Sequence, residues 1–273
     1  MHRSSEGRIE GAPVVIKVGG RALEGDVRAE LAGDLAALGV PAVLVHGGGA
    51  EVSAWSERLG IAPRFHEGLR VTDAATLDVV AAVLGGLENA RWVALLQAHG
   101  VRATGARALD VGIEVAPHPN AEVLGAVGEV RSIDVAPLRA LLESGFTPVL
   151  ASLGAHAGRL LNVNADDLAA ALAPALGARA LVLLSDVPAL MLAGAPVARL
   201  DAADLPATLA SPDVQGGMRP KLAAAGRALA AGISNVVLGA WNGPGTLSAL
   251  LDGSAMGTRI TAARAADPME VSS

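Results

Sequence analysis

The stretch Val14-Val15-Ile16-Lys17-Val18-Gly19-Gly20 decides the fold, and the rest of the chain is arranged around it. Its run of β-branched residues predicts a buried strand, and two glycines follow where that strand must end. Lys17 therefore lies near the mouth of a strand, beside backbone N–H groups that glycine leaves sterically open to an anion. The stretch favours a phosphate-binding turn.

Lysine is rare in the chain. Of the 21 lysines and arginines, only Lys17 and Lys221 are lysines. Lys221 follows a second glycine-rich turn, Gln215-Gly216-Gly217-Met218-Arg219-Pro220, that runs into a predicted helix. A lysine is a compact point charge that can follow a moving phosphoryl group, whereas a guanidinium is a broad planar fork. Either the two lysines escaped a general bias towards arginine, or they mark sites where a guanidinium is unsuitable. Their glycine-rich surroundings favour the second interpretation.

Composition bounds the class of protein. With 273 residues, 52% of them hydrophobic, the chain can bury a large α/β core as one unit or as two lobes. The absence of cysteine excludes disulfides and thiolate chemistry, and a net charge of −6 with 2% aromatic residues argues against nucleic-acid binding. No apolar run reaches the roughly 18–20 residues of a membrane span. The first residues form a short polar tail without a signal pattern. We expect a soluble cytoplasmic protein with no membrane or nucleic-acid partner.

Short apolar runs alternate with helical patterns along the chain, which predicts a parallel sheet with crossover helices. The second predicted strand, residues 41–45, runs directly into His46-Gly47-Gly48-Gly49 and then a helix. A strand, a glycine run and a helix N-terminus together favour an anion site, because bare N–H groups and the helix dipole converge there. The alternative is a tight strand-to-helix turn with no ligand. The spacings of a Walker loop and of a GxGxxG turn are absent.

Arg70 lies in a polar and irregular segment, residues 65–73. Its planar guanidinium can bind a carboxylate with two parallel hydrogen bonds, so Arg70 is a candidate to bind a substrate carboxylate. The alternative is a surface arginine ahead of a helix that Thr72 or Asp73 caps. A long apolar helical region then covers residues 74–99, and residues 101–130 predict an antiparallel hairpin flap outside the core.

Polar residues collect at the ends of two later strands. The segment Asn162-Val163-Asn164-Ala165-Asp166 opens a helix, so Asn164 or Asp166 can serve merely as its cap. In the functional interpretation, Asn162 donates to a substrate and Asp166 orients lysine ammonium groups. The apolar run 180–184 predicts a strand that ends at Ser185-Asp186, and ligands bind at the carboxyl ends of strands in such sheets.

These residues resemble the motifs of the amino acid kinase family. The similarity extends over residues 14–260 and consists of seven motifs in the family's order and spacing, each of them weak alone. They are Lys17-Val18-Gly19-Gly20, His46-Gly47-Gly48-Gly49, Gly68-Leu69-Arg70-Val71-Thr72, Asn162-Val163-Asn164-Ala165-Asp166, Leu184-Ser185-Asp186-Val187, Gly216-Gly217-Met218-Arg219-Pro220-Lys221 and Gly257-Thr258-Arg259.

The resemblance implies an α/β fold, an open three-layer αβα sandwich with a mostly parallel central sheet. It implies that an N-terminal lobe, residues 1–177, binds the amino-acid substrate and makes a homodimer contact, and that a C-terminal lobe, residues 178–273, binds the nucleotide. Within the family the chain is most similar to members that move the γ-phosphoryl group of ATP, with its Mg²⁺, onto the side-chain carboxylate of N-acetyl-L-glutamate in arginine biosynthesis. The Mg²⁺ is carried by the nucleotide, with no protein metal site.

The resemblance also implies roles for individual residues. Lys17 and Lys221 neutralise the phosphoryl group in flight, and Asp166 holds both lysines. Gly48 and Gly49 offer backbone N–H groups, and Arg70 and Asn162 bind the α-carboxylate and the amide end of the substrate. Nucleotide and phosphate binding is implied for Gly19, Gly20, Ser185, Asp186, Val187, Pro188, Ala189, Leu190, Asp213, Val214 and Gln215.

The sequence departs from the family pattern in places. The segment 105–110 is poor in glycine where the first flap of the family is usually rich in it, and Ala189 stands where glycine is common. The tail before Val14 is too short and glycine-rich for the extra helix of arginine-inhibited hexamers, so we expect a dimer that arginine does not inhibit. Alternatives are a sibling kinase acting on carrier-linked or N-acetylated aminoadipate in lysine biosynthesis, and a non-catalytic amino-acid or nucleotide sensor. A nicotinamide-dependent dehydrogenase is disfavoured because GxGxxG is missing.

Overall fold

The computed structural model describes residues 11–19, 26–254 and 257–262, with the side chain of Asp26 left out. Gly20, which the sequence places in the phosphate-binding turn, lies outside the described residues. Most of the expected N-terminal tail and the frayed C-terminal tail lie outside them as well.

The centre of the fold is an eight-stranded sheet in the order β14-β16-β15-β11-β1-β2-β8-β5. All neighbouring pairs are parallel except β15 with β16. The strands are β1 Val14–Val18, β2 Ala42–His46, β3 Phe65–His66, β4 Leu69–Arg70, β5 Ala103–Arg107, β6 Ile113–Pro117, β7 Val127–Ile133, β8 Thr147–Ala151, β9 Leu153–His156, β10 Arg159–Val163, β11 Ala180–Ser185, β12 Leu190–Leu192, β13 Ala195–Val197, β14 Arg199–Asp201, β15 Asn235–Ala240 and β16 Thr258–Thr261.

Helices cover both faces of this sheet. They are α1 Asp26–Ala37, α2 Gly49–Arg58, α3 Ala74–Ala82, α4 Asn89–Ala98, α5 Ala121–Leu124, α6 Ala136–Glu143, α7 Ala165–Leu176, α8 Leu205–Ala210, α9 Met218–Ala230 and α10 Thr246–Asp252. A π-helical segment, Val83–Glu88, joins α3 to α4. The predicted αβα sandwich with a mostly parallel sheet is confirmed.

Alternate side chains of β1 pack against helices on opposite faces of the sheet, which gives the fold its three layers. Val15 joins the core on the side of α7 and α9, whereas Val14, Ile16 and Val18 join the core on the side of α1, α4 and α10. Because successive strand residues point to opposite faces, Lys17 shares the face of Val15. The period of the strand therefore directs the ammonium group of Lys17 towards α7 and α9.

The prediction of a flap over residues 101–130 is wrong for its first part. Strand β5 pairs in parallel with β8 and forms an edge of the central sheet. Only β6 and β7 form the expected antiparallel hairpin, and β10 and β9 extend it to a four-stranded sheet. Residues 65–73 are also more regular than predicted, because β3 and β4 pair as a hairpin. Its turn places Glu67 and Gly68 at φ values of 49° and 82°.

The continuous helical region Ala74–Ala98 is long and apolar enough, by length and composition, to cross a membrane. In the sequence, Asp78, Glu88 and Arg91 interrupt the apolar run of this region. In the fold, Glu88 is buried and ion-paired, and Asn89 donates hydrogen bonds to the strands of the central sheet. Through these residues the helical region packs against the central sheet.

Candidate active site

Two lysines meet on one carboxylate at the centre of the molecule. Lys17 Nζ lies 2.9 Å from Asp166 Oδ1, and Lys221 Nζ lies 3.0 Å from Asp166 Oδ2. The three residues come from β1, α9 and α7, and the side chains of Lys17 and Asp166 are buried. The cap of α7 is Asn164, whose Oδ1 accepts the N–H groups of Asp166 and Asp167. The carboxylate of Asp166 is therefore left for the lysines.

The charges in this cluster perturb one another. Burial alone would raise the pKa of Asp166, but the charges of Lys17 and Lys221 outweigh it and hold the pKa below its usual value. Burial, and then the charge of Lys17, lower the pKa of Lys221 to about 8, and Asp166 opposes both effects. Two ammonium groups against one carboxylate leave an excess positive charge. The cluster is suited to receiving an anion.

Glycine leaves room where the backbone approaches these groups. A Cβ on Gly19 would lie 2.5 Å from Lys17 Nζ, and one on Gly48 would lie 2.6 Å from Leu84 Cδ2. Helix α2 begins at Gly49 behind Gly48, which has no side chain to cap it. The first N–H groups of a helix have no partner within the helix and carry its positive end. The predicted anion site at the glycine run thus has the geometry that such a site needs.

A cavity of about 190 Å³ opens on the Lys17 side. Gly19, Gly48, Gly49, Arg70 and Asn162 line it together with Lys17 and Asp166, so the structure brings these sequence-predicted residues together. Asn162 Nδ2 donates to Thr72 Oγ1 at 3.1 Å, which fixes the orientation of the amide.

Arg70 is anchored by one half of its guanidinium. Nη2 donates to Gly49 O at 2.7 Å and to Ser53 Oγ at 2.8 Å, and the guanidinium lies 4.7 Å from the ring centre of Phe65. Nη1 is buried and has no hydrogen-bond partner among the described residues. A buried donor without a partner is costly, so an anion that reached Nη1 from the cavity that Arg70 lines would gain a charge-assisted hydrogen bond. The alternative of a solvated surface arginine is excluded, because Arg70 is 8% exposed.

A second cavity, of about 320 Å³, opens on the Lys221 side at the carboxyl end of β11. It is lined by Ser185, Asp186, Val187, Ala189, Leu190, Asp213 and Gln215, with Gly217 and Lys221. Two residues assigned to this group do not line it, since Val214 is fully buried in the core and Pro188 is not on the cavity wall. The carboxylate of Asp213 accepts the N–H of Ala193 at 2.7 Å, so that it anchors the turn between β12 and β13.

Some residues around the site are not among those that the sequence predicts to bind or react. Phe65 and Ser53 position Arg70, and His46 contacts both the glycine run and Asn89. Only His46 carried a sequence signal, because it directly precedes the three glycines. The partners Phe65, Ser53 and Asn89 become apparent only once helices and strands are packed.

The family follows from a direct comparison. A model of the amino acid kinase family matches residues 12–239. The chain belongs to the amino acid kinase family. The amino acid kinases that it resembles include the acetylglutamate kinase of Methanopyrus kandleri, 42% identical over 257 residues, with 85% of this chain and 98% of the relative covered. The acetylglutamate kinase of Koribacter versatilis is 43% identical over 230 residues, covering 82% of this chain and 88% of the relative.

A solved structure of a Streptococcus mutans protein matches the fold of this amino acid kinase. The TM-score is 0.76 at 29% identity, covering 91% of this chain and 98% of that chain. The family assignment made from seven short motifs is thereby confirmed over nearly the whole chain.

Proposed function

We propose that this amino acid kinase transfers the γ-phosphoryl group of ATP to the side-chain carboxylate of N-acetyl-L-glutamate, forming an acyl phosphate for arginine biosynthesis. One observation carries the proposal. Asp166 pairs with both lysines, Lys17 lines one cavity and Lys221 lines the other. A phosphoryl group that passes between two ligands at this junction meets both ammonium groups.

The amino-acid substrate occupies the cavity on the Lys17 side. Arg70 Nη1 receives the α-carboxylate, because it is a buried cationic donor without a partner among the described residues. Asn162 binds the amide end, and the side-chain carboxylate points towards Lys17 and the N-terminus of α2. The names of the relatives support this choice of acid.

ATP occupies the cavity on the Lys221 side, where Ser185 and its neighbours hold the nucleotide. Mg²⁺ enters with ATP, because the carboxylate at the junction, Asp166, is already paired with two lysines. When bound, the ion neutralises part of the polyphosphate charge. The ammonium groups and backbone N–H groups of the protein stabilise the charge that remains.

The chemistry needs alignment and charge stabilisation. A carboxylate oxygen of the substrate attacks the γ-phosphorus, the bond from that phosphorus to the bridging oxygen breaks, and ADP leaves with the electron pair. The carboxylate is already ionised, so no general base is required. Lys17, Lys221 and the N–H groups of Gly48 and Gly49 stabilise the charge that develops between the two anions. Asp166 keeps the mutually repelling ammonium groups in place.

Further properties belong to the same proposal. We place the lobe boundary after residue 177, so Lys17 and Asp166 come from the N-terminal lobe and Lys221 from the C-terminal lobe.

The protein is a cytoplasmic homodimer that arginine does not inhibit. A stripe of exposed small residues along the helical region Ala74–Ala98, namely Ala82, Gly86, Ala90 and Ala94, supports a contact between two copies. Sedimentation should give dimers, which Gly86→Arg should dissociate; hexamers, or inhibition by millimolar arginine, would contradict this.

The test is an assay of ADP release with MgATP and hydroxylamine to trap an acyl phosphate. N-acetyl-L-glutamate, glutamate, aspartate and N-acetyl-aminoadipate are offered in parallel. Hydroxamate formed from N-acetyl-L-glutamate alone is the expected result. Product from N-acetyl-aminoadipate instead would assign the chain to the sibling kinases, and ATP binding without turnover of any acid would indicate a sensor.

A further inference from the structure

A buried histidine adjoins the glycine run without lining the Lys17 cavity. His46 ends β2, and its side chain is fully buried. Nδ1 lies 2.9 Å from Gly47 O, and Nε2 lies 3.0 Å from Asn89 Nδ2. A carbonyl only accepts and an amide nitrogen only donates, so the two contacts require a neutral ring with its proton on Nδ1. Burial, the largest effect, lowers the pKa of His46 to about 4, which agrees with a neutral ring.

Asn89 is held in turn by two strands of the central sheet. Its Nδ2 donates to Val149 O in β8 at 2.9 Å, and this carbonyl fixes which end of the amide is the nitrogen. Its Oδ1 lies against Gly105 in β5, where an added Cβ would collide with it. The orientation of Asn89 is therefore set by the sheet, and Asn89 transmits it to His46.

The π-helical segment brings three residues to the same place. The site of a Cβ on Gly48 lies beside Leu84 Cδ2 and Glu88 Cγ, and Asn89 contacts His46 next to it. In a regular α-helix each residue is turned by about 100° from the one before it, so Asn89 would point away from the loop that Leu84 and Glu88 approach. The wider turn of a π-helix lets residues four and five positions beyond Leu84 face the same loop, and π-bulges are frequent at functional sites. The paired arginines, Arg28 and Arg91, hold the buried Glu88 carboxylate.

We propose that His46 and Asn89 are positioning residues for phosphoryl transfer, a role that rests on the proposed function. The two residues belong to a chain of hydrogen bonds, called the relay below, that runs from Val149 through Asn89 and His46 to the carbonyl of Gly47. By fixing that peptide, it aims the N–H groups of Gly48 and Gly49 at the charge that develops in the transition state. Such preorganised donors act mainly on kcat, because the developing charge is absent in the ground state.

The first test uses variants that break the relay from two sides. Asn89→Ala and Gly105→Ala should each lower kcat by about tenfold or more, with much smaller changes in either KM. Gly105 lies in an edge strand outside both cavities, so its effect reports displacement of Asn89. Leu250→Ala, a buried change in α10, is the control for lost stability and should leave kcat within about twofold. His46→Asn keeps a donor towards Gly47 O and should retain more activity than His46→Leu.

The second test does not depend on turnover. In ¹⁵N-histidine spectra, His46 should be the neutral tautomer protonated on Nδ1 at pH 7. The amide resonances of Gly47, Gly48 and Gly49 should shift in Asn89→Ala and Gly105→Ala and stay in place in Leu250→Ala. A proton on Nε2, unmoved loop amides, or kcat within twofold of wild type in both folded relay variants would overturn the proposal. A wild type without kinase activity would overturn the proposed function, while the spectra would still test the relay.

Discussion

Lys221 Nζ lies 3.0 Å from Asp166 Oδ2, although the two residues are 55 positions apart on different helices. The other oxygen of the same carboxylate lies 2.9 Å from Lys17 Nζ. Two ammonium groups repel each other, and an anion placed between them offsets that repulsion. Asp166 is therefore the group that lets both lysines be present in the resting enzyme, each at the edge of its own cavity.

Replacing Asp166 by asparagine removes the charge and keeps the shape. Asp166→Asn should lower kcat by about 10²-fold, since the lysines then separate and neither is aimed at the γ-phosphoryl group. It should also lower the melting temperature, because two buried cations lose their counter-charge. Steady-state kinetics and thermal unfolding measure the two effects.

The neighbouring Asp167 provides a matched control. Its carboxylate pairs with Arg227 in a more exposed position and does not touch either lysine. Asp167→Asn should leave kcat within about twofold, since exposed ion pairs contribute little. Equal losses of kcat in the two variants would mean that the pairing with the lysines is not what makes Asp166 important.

Lys221 should make the reaction slower at alkaline pH. Its pKa is lowered to about 8, and only the protonated form stabilises the phosphoryl charge. The kcat/KM for ATP should therefore fall as pH rises through about 8. Bound ATP favours the protonated form, so the fall in kcat should come at higher pH. An unchanged profile up to pH 9.5 would contradict this assignment.

Arg70 should determine affinity for the amino-acid substrate. Arg70→Lys loses the two-sided guanidinium, which contacts Gly49 and Ser53 with one nitrogen and leaves the other for a carboxylate. We expect the KM for N-acetyl-L-glutamate to rise by about 10–100-fold and the KM for ATP to change little. Arg64→Lys, an exposed arginine paired with Asp73, is the control and should behave as wild type. A rise in the KM for ATP alone would place Arg70 in the other cavity.

Asp213 should act on nucleotide affinity through the hairpin that it anchors. Asp213→Ala removes the acceptor for the N–H of Ala193, and the KM for ATP should rise by about fivefold. Asp213→Asn keeps an acceptor and should lie between the alanine variant and wild type. The KM for N-acetyl-L-glutamate, measured in the same assays, should not move; a change confined to that KM would contradict the role of the hairpin.

Local patterns in the sequence predicted the core of the fold well. Short-range signals predict two strands and the turns that follow them. They are the apolar run Val14–Val18, the glycines beside Lys17 and the glycines after His46. The lysines could be selected because arginine replaces lysine almost everywhere else. The segment around Asp166 indicates only a carboxylate that can orient lysine ammonium groups. The resemblance to a family names Lys17 and Lys221 as the two lysines that it holds, because no local pattern joins residues so far apart.

Non-local contacts account for what was mispredicted or missed. The small residues of Ala103–Arg107 have no strong strand pattern, and only pairing with Thr147–Ala151 makes them part of the central sheet. The resemblance implies a nucleotide-binding role for Val214, and the structure places its side chain in the core. Asn89 reads as one more residue of an apolar helix until the π-helical turn directs it at His46.

The most direct test of the central claim compares Lys17→Arg and Lys221→Arg with wild type in the hydroxamate assay, with ATP binding measured by calorimetry. Both variants keep the positive charge, so the comparison isolates the compact ammonium group held by Asp166. We predict that each loses about 10²–10³-fold in kcat with N-acetyl-L-glutamate while still binding ATP. Activity within a few-fold of wild type in either variant would contradict the account of two lysines acting together on the transferred phosphoryl group.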